Sequence, residues 1–237
     1  MSEAVLITGG ARRIGRVLSH SLAAHGFDIA LHYNSSENEA REVAEEVKKI
    51  GSKCGIFQCD FSNVEDVNTL MERVFSRFPA CTILINNASI FERSSFMETD
   101  PALFDRHFRI NFRTPFFLSR EFARHCSKGQ IINIVDTKVT QAFTPYFAYT
   151  LSKKAFLDFT FMAAKELAPG IRVNAVAPGN ILPPPDKDHE YLNRLSSKVP
   201  LKTSGEPAMI AEAVLFLVKH SYITGQCIYV DGGEHIH

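Results

Sequence analysis

A single α/β domain, built as a parallel sheet with helices on both faces, is predicted by three observations on the sequence. Short β-branched runs alternate with longer amphipathic stretches. Several of the short runs are apolar throughout, as strands buried on both faces must be. The first run ends in a glycine-rich turn that leads straight into a helix.

The elements follow in order. Strands are expected at 4–8, 29–33, 55–59, 82–86, 131–135, 173–177 and 227–230. Helices are expected at 13–25, 37–50, 63–78, 101–125, 149–168 and 207–219. Ile14, Leu18 and Leu22 recur at helical spacing and give the first helix one core-facing stripe. Ser36 and Glu39 have capping-box spacing at the second helix start. Gly26 and Gly51 follow two helix ends, where a left-handed residue is wanted. No repeat or composition break marks a linker, so residues 1–237 read as one domain: a cofactor half of about 1–130 and a catalytic half of about 131–237. The irregular stretch 180–204, with prolines at 183–185 and charges at 186–190, is expected to be a lid with a short helix near 191–197.

The chain has 237 residues with 26 Lys+Arg against 26 Asp+Glu, so no charge excess favours nucleic acid or an anionic membrane as partner. The longest apolar run, 213–218, is far short of the roughly 20 residues of a membrane span. Residues 1–5 lack the basic start of a secretory signal. Five scattered cysteines without a C-x-x-C pair read as free thiols, which fit a reducing cytoplasm, and no metal site is expected.

Thr8, Gly9, Arg12, Arg13, Ile14 and Gly15 occupy the turn where an open α/β sheet receives a dinucleotide. Backbone N–H groups and the positive end of the helix dipole favour a pyrophosphate there. The second strand ends in His32, Tyr33, Asn34, Ser35 and Ser36, with no carboxylate before Glu37 to hold a ribose 2′-hydroxyl. That absence favours a 2′-phosphate and therefore NADPH. Ser35 and Ser36 can donate hydrogen bonds to it, and Arg12 or Arg13 can supply charge.

Tyr149 and Lys153 stand four residues apart on one helix face. A phenol near pKa 10 needs about 4 kcal/mol of phenolate stabilisation to approach 7, and an adjacent ammonium has the right sign. Such a phenol can serve as general acid to an atom gaining negative charge.

Together with Asp60 and Phe61 after the third strand, Asn87, Ala88 and Ser89 after the fourth, Asn111 in the next helix, and Pro178 with Gly179 after the sixth, these motifs resemble the short-chain dehydrogenase/reductase family along nearly the whole chain. The resemblance implies a Rossmann-type, doubly wound seven-stranded sheet and hydride transfer from a nicotinamide. It also implies Tyr149 as acid/base, Lys153 on the nicotinamide ribose, and Asn111 holding a relay water. Two departures are those of its pteridine reductases: Arg13 replaces the family's second glycine, and Asp136 replaces the usual serine. The compact length and the Asp231-Gly232-Gly233 ending look also like the bacterial dihydromonapterin reductases.

That group implies pro-S hydride transfer to C6 of a dihydropterin with Tyr149 protonating N5. Phe91 would stack on the pterin, Arg13 and Ser89 would touch it, and Asp136 would accept from its amino edge or donate as a neutral acid. The alternative substrate is a ketone, such as a 3-oxoacyl thioester or a sugar. Asp136 argues against it, because a carboxylate is a poor partner for an oxygen gaining negative charge. A non-catalytic NADP-binding regulator is the reading from another class. The two phenylalanine-rich helices carry more apolar surface than one sheet face covers, and the resemblance implies a homotetramer.

Overall fold

In the computed structural model, which describes residues 2–142, 144–184 and 188–236, seven parallel strands form one sheet in the order β3-β2-β1-β4-β5-β6-β7. The strands are β1 (Ala4–Ile7), β2 (Asp28–Tyr33), β3 (Cys54–Gln58), β4 (Cys81–Asn86), β5 (Gly129–Ile134), β6 (Ile171–Pro178) and β7 (Cys227–Val230). Every neighbouring pair is parallel. The expected strands are all present, with ends moved by no more than a few residues.

The helices are α1 (Arg13–Ala24), α2 (Glu37–Ile50), α3 (Val64–Arg77), α4 (Pro101–Phe108), α5 (Thr114–His125), α6 (Phe147–Leu167), α7 (His189–Ser196) and α8 (Pro207–Lys219). Alternation along the strands divides the core. Val5 and Ile7 of β1 face α1, α2 and α8, where Leu18, Leu22, Val43, Val47, Ile210 and Val214 are buried. Ala4 and Leu6 face the other layer, where Leu70 and Val74 of α3, Leu118 and Phe122 of α5, and Ala163 of α6 meet them. Gly26 (φ 87°) and Gly51 (φ 105°) take the left-handed conformation expected after α1 and α2.

Two local expectations are corrected. The helix expected at 101–125 is broken by one π-helical turn, Arg109–Arg113, between α4 and α5. Pro115 lies in the first turn of α5 and has no N–H for the carbonyl four residues back, that of Asn111. The ladder widens there, as it often does at functional positions. The capping box at α2 does not form: Ser36 is the N-cap but its side chain caps nothing, and the Glu39 carboxylate is paired with Arg12.

Cys54, Cys59, Cys81, Cys126 and Cys227 are free thiols as expected, and burial pushes the first three up to about 12. Among the described residues, no group of His, Cys, Asp or Glu could hold a metal ion, and no helix is long and apolar enough to cross a membrane. The helix expected within the lid is α7. Pro185, Asp186 and Lys187 of that stretch lie outside the described residues.

Candidate active site

A cavity of about 1030 Å³ opens at the carboxyl ends of the strands, where the strand order reverses between β1 and β4. Residues following β1, β2, β4, β5 and β6 line it, and α7 covers it with Tyr191, Leu192 and Leu195.

Its floor is a clamp between the ends of β1 and β4. The Thr8 hydroxyl accepts from the amides of Asn87 (2.9 Å) and Ala88 (3.0 Å) and donates to the Ile85 carbonyl. Asn87 Nδ2 donates back to the carbonyls of Thr8 (2.9 Å) and Gly9 (3.2 Å). Gly15 allows the close approach: a Cβ there would lie 2.0 Å from the Gly9 carbonyl oxygen. His32 completes the turn. Its Nδ1 accepts from the Gly9 amide (3.1 Å), so the proton sits on Nε2, which donates to the Cys59 carbonyl (2.9 Å). Burial lowers its pKa to about 4, and its ring stacks on Phe61 at 4.3 Å.

Thr8, Asp60, Phe61 and Asn111, also expected at the ligand, are not among the residues that line this cavity. Thr8 is spent on the clamp. Asp60 accepts from the Ser62 amide in a local turn (2.8 Å), and Phe61 supports His32. Asn111, in the π turn, has Oδ1 on the Ser89 hydroxyl (3.1 Å) and the Ile90 amide (2.9 Å). Its Nδ2 meets the Ile90 carbonyl (3.1 Å) and Ser152 Oγ (3.2 Å). These bonds make Asn111 a brace between the 89–90 turn and α6.

The remaining expected residues do line the cavity. Arg12, Arg13, Ile14 and Gly15 lie at the α1 end, and Tyr33, Asn34, Ser35 and Ser36 beside them. Arg12 is ion-paired with Glu39. Arg13 adopts φ 53°, a left-handed conformation that accounts for the family's preference for glycine there. Its guanidinium donates to the Pro183 carbonyl at 2.9 Å. Ala88, Ser89, Pro178 and Gly179 form the middle.

At the far end, β5 and α6 bring Asp136 and Tyr149 together: the phenol donates to Asp136 Oδ2 at 2.6 Å. The backbone amide of Lys138 donates to Oδ1 at 2.8 Å, and the Lys138 ammonium lies 3.6 Å from the same oxygen. Phe91 packs edge-to-face with Tyr149 (4.7 Å) and stacks on Tyr146 (4.1 Å). Lys153 Nζ donates to the Ile134 carbonyl at 2.9 Å and lies 5.9 Å from the Tyr149 ring centre.

This arrangement reverses one expectation about charge. Burial, then the Asp136 carboxylate in contact, push the Tyr149 phenol well above its usual 10 instead of toward 7. Lys153 is itself lowered to about 8 by burial. Sequence reasoning also passed over Lys138, Tyr146, Gln141 and Glu234, all of which line this end. Tyr146 stands three residues before Tyr149 and Lys138 two after Asp136, and only those offsets hint at them.

Known proteins share this architecture. A family model described as enoyl-(acyl carrier protein) reductase matches residues 9–235. NADPH-dependent aldehyde reductase 1, chloroplastic, of Arabidopsis thaliana is 35% identical over 98% of this chain and 85% of its own. The 3-oxoacyl-[acyl-carrier-protein] reductase FabG of Staphylococcus epidermidis is 31% identical over the full length of both. Among solved structures, FolM alternative dihydrofolate reductase 1 of Brucella suis in complex with NADP superposes with TM-score 0.95 at 37% identity, covering 99% of this chain and 96% of that one. A short-chain dehydrogenase/reductase of Serratia marcescens superposes with TM-score 0.92 at 30% identity over 98% of both chains. With the sheet order, the glycine turn and the Tyr149–Lys153 pair on one cavity wall, the chain belongs to the short-chain dehydrogenase/reductase family.

Proposed function

We propose that the protein is an NADPH-dependent reductase of dihydropteridines, of the dihydromonapterin or dihydrobiopterin type, giving the tetrahydropterin. The observation that carries this reading is Asp136. A carboxylate bonded to the Tyr149 phenol at 2.6 Å faces the same cavity as the aromatic ring of Phe91. Phe91 keeps 39% of its surface exposed although Tyr146 covers one side of it, so a flat heterocycle has a ring to lie on. The resemblance to the Brucella FolM structure at 37% identity supports the same reading.

The donor set fits NADPH. The glycine turn and the N-terminus of α1 open onto the cavity through Gly9, Ile14 and Gly15, and no acidic residue stands in the first turn of α1. Arg12, Asn34, Ser35 and Ser36 would hold the 2′-phosphate, and Lys153 the nicotinamide ribose. When bound, NADPH supplies the hydride. Tyr149 gives the proton to the substrate nitrogen, Asp136 orients the phenol and meets the amino edge of the pterin, and Phe91 positions its plane.

Cofactor choice gives a first prediction. With NADPH, kcat/KM exceeds that with NADH at least tenfold. Glu39→Gln releases Arg12 from its ion pair and tightens NADPH roughly two- to fivefold, as suits an exposed pair, leaving NADH unchanged in a fluorescence titration. Equal effects on the two cofactors would remove Arg12 from the 2′-phosphate site.

A carbonyl reductase, acting on a 3-oxoacyl thioester or a sugar ketone, is the second reading, and the FabG and aldehyde reductase relatives favour it. Purified protein with NADPH and a panel of dihydromonapterin, dihydrobiopterin, dihydrofolate and a 3-oxoacyl thioester separates the two. Turnover of a pterin is expected, and its absence ends the leading reading. We further propose a homotetramer, supported by the exposed Phe104, Phe116, Phe161 and Met162 on α4, α5 and α6. Sedimentation at micromolar concentration checks this, and a monomer would contradict it.

A further inference from the structure

A carboxylate in contact with a phenol creates a difficulty for proton donation. When the phenol of Tyr149 gives up its proton, negative charge gathers 2.6 Å from Asp136. Two anions at that distance, in a place where Tyr149 is only 5% exposed, repel strongly. If Asp136 instead carries a proton and passes it to Tyr149 as Tyr149 protonates the substrate, the pair still ends one charge more negative. On either route the acid is only as strong as the positive charge around the pair makes it.

The groups that face the pair are few. From α6 comes Lys153, from the residue just before it Tyr146, from α4 the ring of His107, from the segment after β7 Glu234, and from the short 3₁₀ turn after β5 (Thr137–Thr140) Lys138. Lys153 is directed to the Ile134 carbonyl. Lys138 is directed to Asp136: its amide and its ammonium both address Oδ1, the oxygen turned away from the phenol. Its side chain is 21% exposed, so solvent screens the charge poorly. Burial works against that charge, but the carboxylates of Asp136 and Glu234 outweigh it and hold Lys138 above the usual lysine range. Lys138 is therefore a lasting cation rather than a group that trades protons during turnover.

We infer that Lys138 is a positioning residue for the proton-transfer step: it fixes the Asp136 carboxyl against Tyr149 and offsets the charge that builds on this pair as the proton leaves for the substrate. A carboxylate in place of the family's serine thus comes with its own counter-ion, two residues along the chain. The inference rests on Tyr149 being the proton donor proposed above, and it does not depend on whether the acceptor atom is a pterin nitrogen or a ketone oxygen.

The test compares Lys138→Met, which keeps the stem and loses the charge, with Lys138→Arg, which keeps the charge, on whichever panel substrate the unaltered protein reduces. Lys138→Met is expected to lower kcat at least tenfold while KM and the NADPH dissociation constant stay within threefold. The solvent deuterium isotope effect on kcat should rise as proton transfer becomes slower. Lys138→Arg should stay within threefold of the parent on every measure. A kcat for Lys138→Met within threefold of the parent overturns the inference. So does a fall without a larger isotope effect, a fall in which KM or the melting temperature moves with kcat, or an arginine variant as slow as the methionine one. Failure of the pterin reading would show on the unaltered protein, whereas failure of this inference shows only on the variants.

Discussion

Tyr149→Phe is expected to lower kcat at least 10²-fold with dihydropterin and NADPH, while NADPH binding changes less than threefold. The separation follows from what the hydroxyl touches. Tyr149 bonds Asp136, but the Lys153 ammonium that would hold the ribose is anchored on the Ile134 carbonyl and does not depend on that hydroxyl. A phenyl ring preserves the packing with Phe91 at 4.7 Å and with His107 at 6.1 Å. Asp136 keeps its two contacts from Lys138, so it does not become an unpaired buried charge. Tyr149 is held protonated through the working range, and the group that titrates in reach is Lys153, near 8. A decline in NADPH affinity above about pH 8 should therefore persist in the phenylalanine variant. A kcat loss below tenfold would move the general-acid role to another group.

The sign error over Tyr149 shows where sequence reading stops. Spacing alone put Tyr149 and Lys153 on one helix face, since i and i+4 always meet there. It could not say which neighbour is nearest the phenolic oxygen. That neighbour is Asp136, 13 residues earlier and across the β5–α6 connection. The strands were legible for a simpler reason: a segment buried on both faces cannot hide its apolar run. The π turn at Arg109–Arg113 was not, because the apolar pattern runs through it and the cause is a missing N–H at Pro115. The sequence pattern points to Asn111 but not to its contacts with Ser89, Ile90 and Ser152, which the π turn brings within reach. His32 is a similar case. It lines the cavity at the end of β2, but the sequence does not show that its two ring nitrogens hold the Gly9 amide and the Cys59 carbonyl.

Asp136→Ser should separate the two substrate readings by an effect of similar size. A serine hydroxyl in the family's usual position can donate to a carbonyl oxygen that gathers negative charge, whereas an ionised carboxylate can only accept. For a pterin the preference is opposite, because the amino-pyrimidine edge is a donor and its bond to a carboxylate is charge-assisted. Losing such a bond is worth about 1.5–3 kcal/mol, or roughly 10- to 150-fold. Pterin kcat/KM should fall by that much, and reduction of a 3-oxoacyl thioester should fall less or rise. The turn itself survives the change, because Thr137 Oγ1 donates to Asp231 Oδ2 at 2.6 Å on the far side of it. Part of the loss comes from Lys138, left without its nearest counter-ion. The double variant Asp136→Ser with Lys138→Met should therefore bind cofactor and melt closer to the parent than Asp136→Ser alone, a non-additivity that marks two residues acting as one unit. Equal losses on pterin and thioester would make Asp136 part of the scaffold and leave substrate choice to the ring of Phe91 and the cover formed by α7.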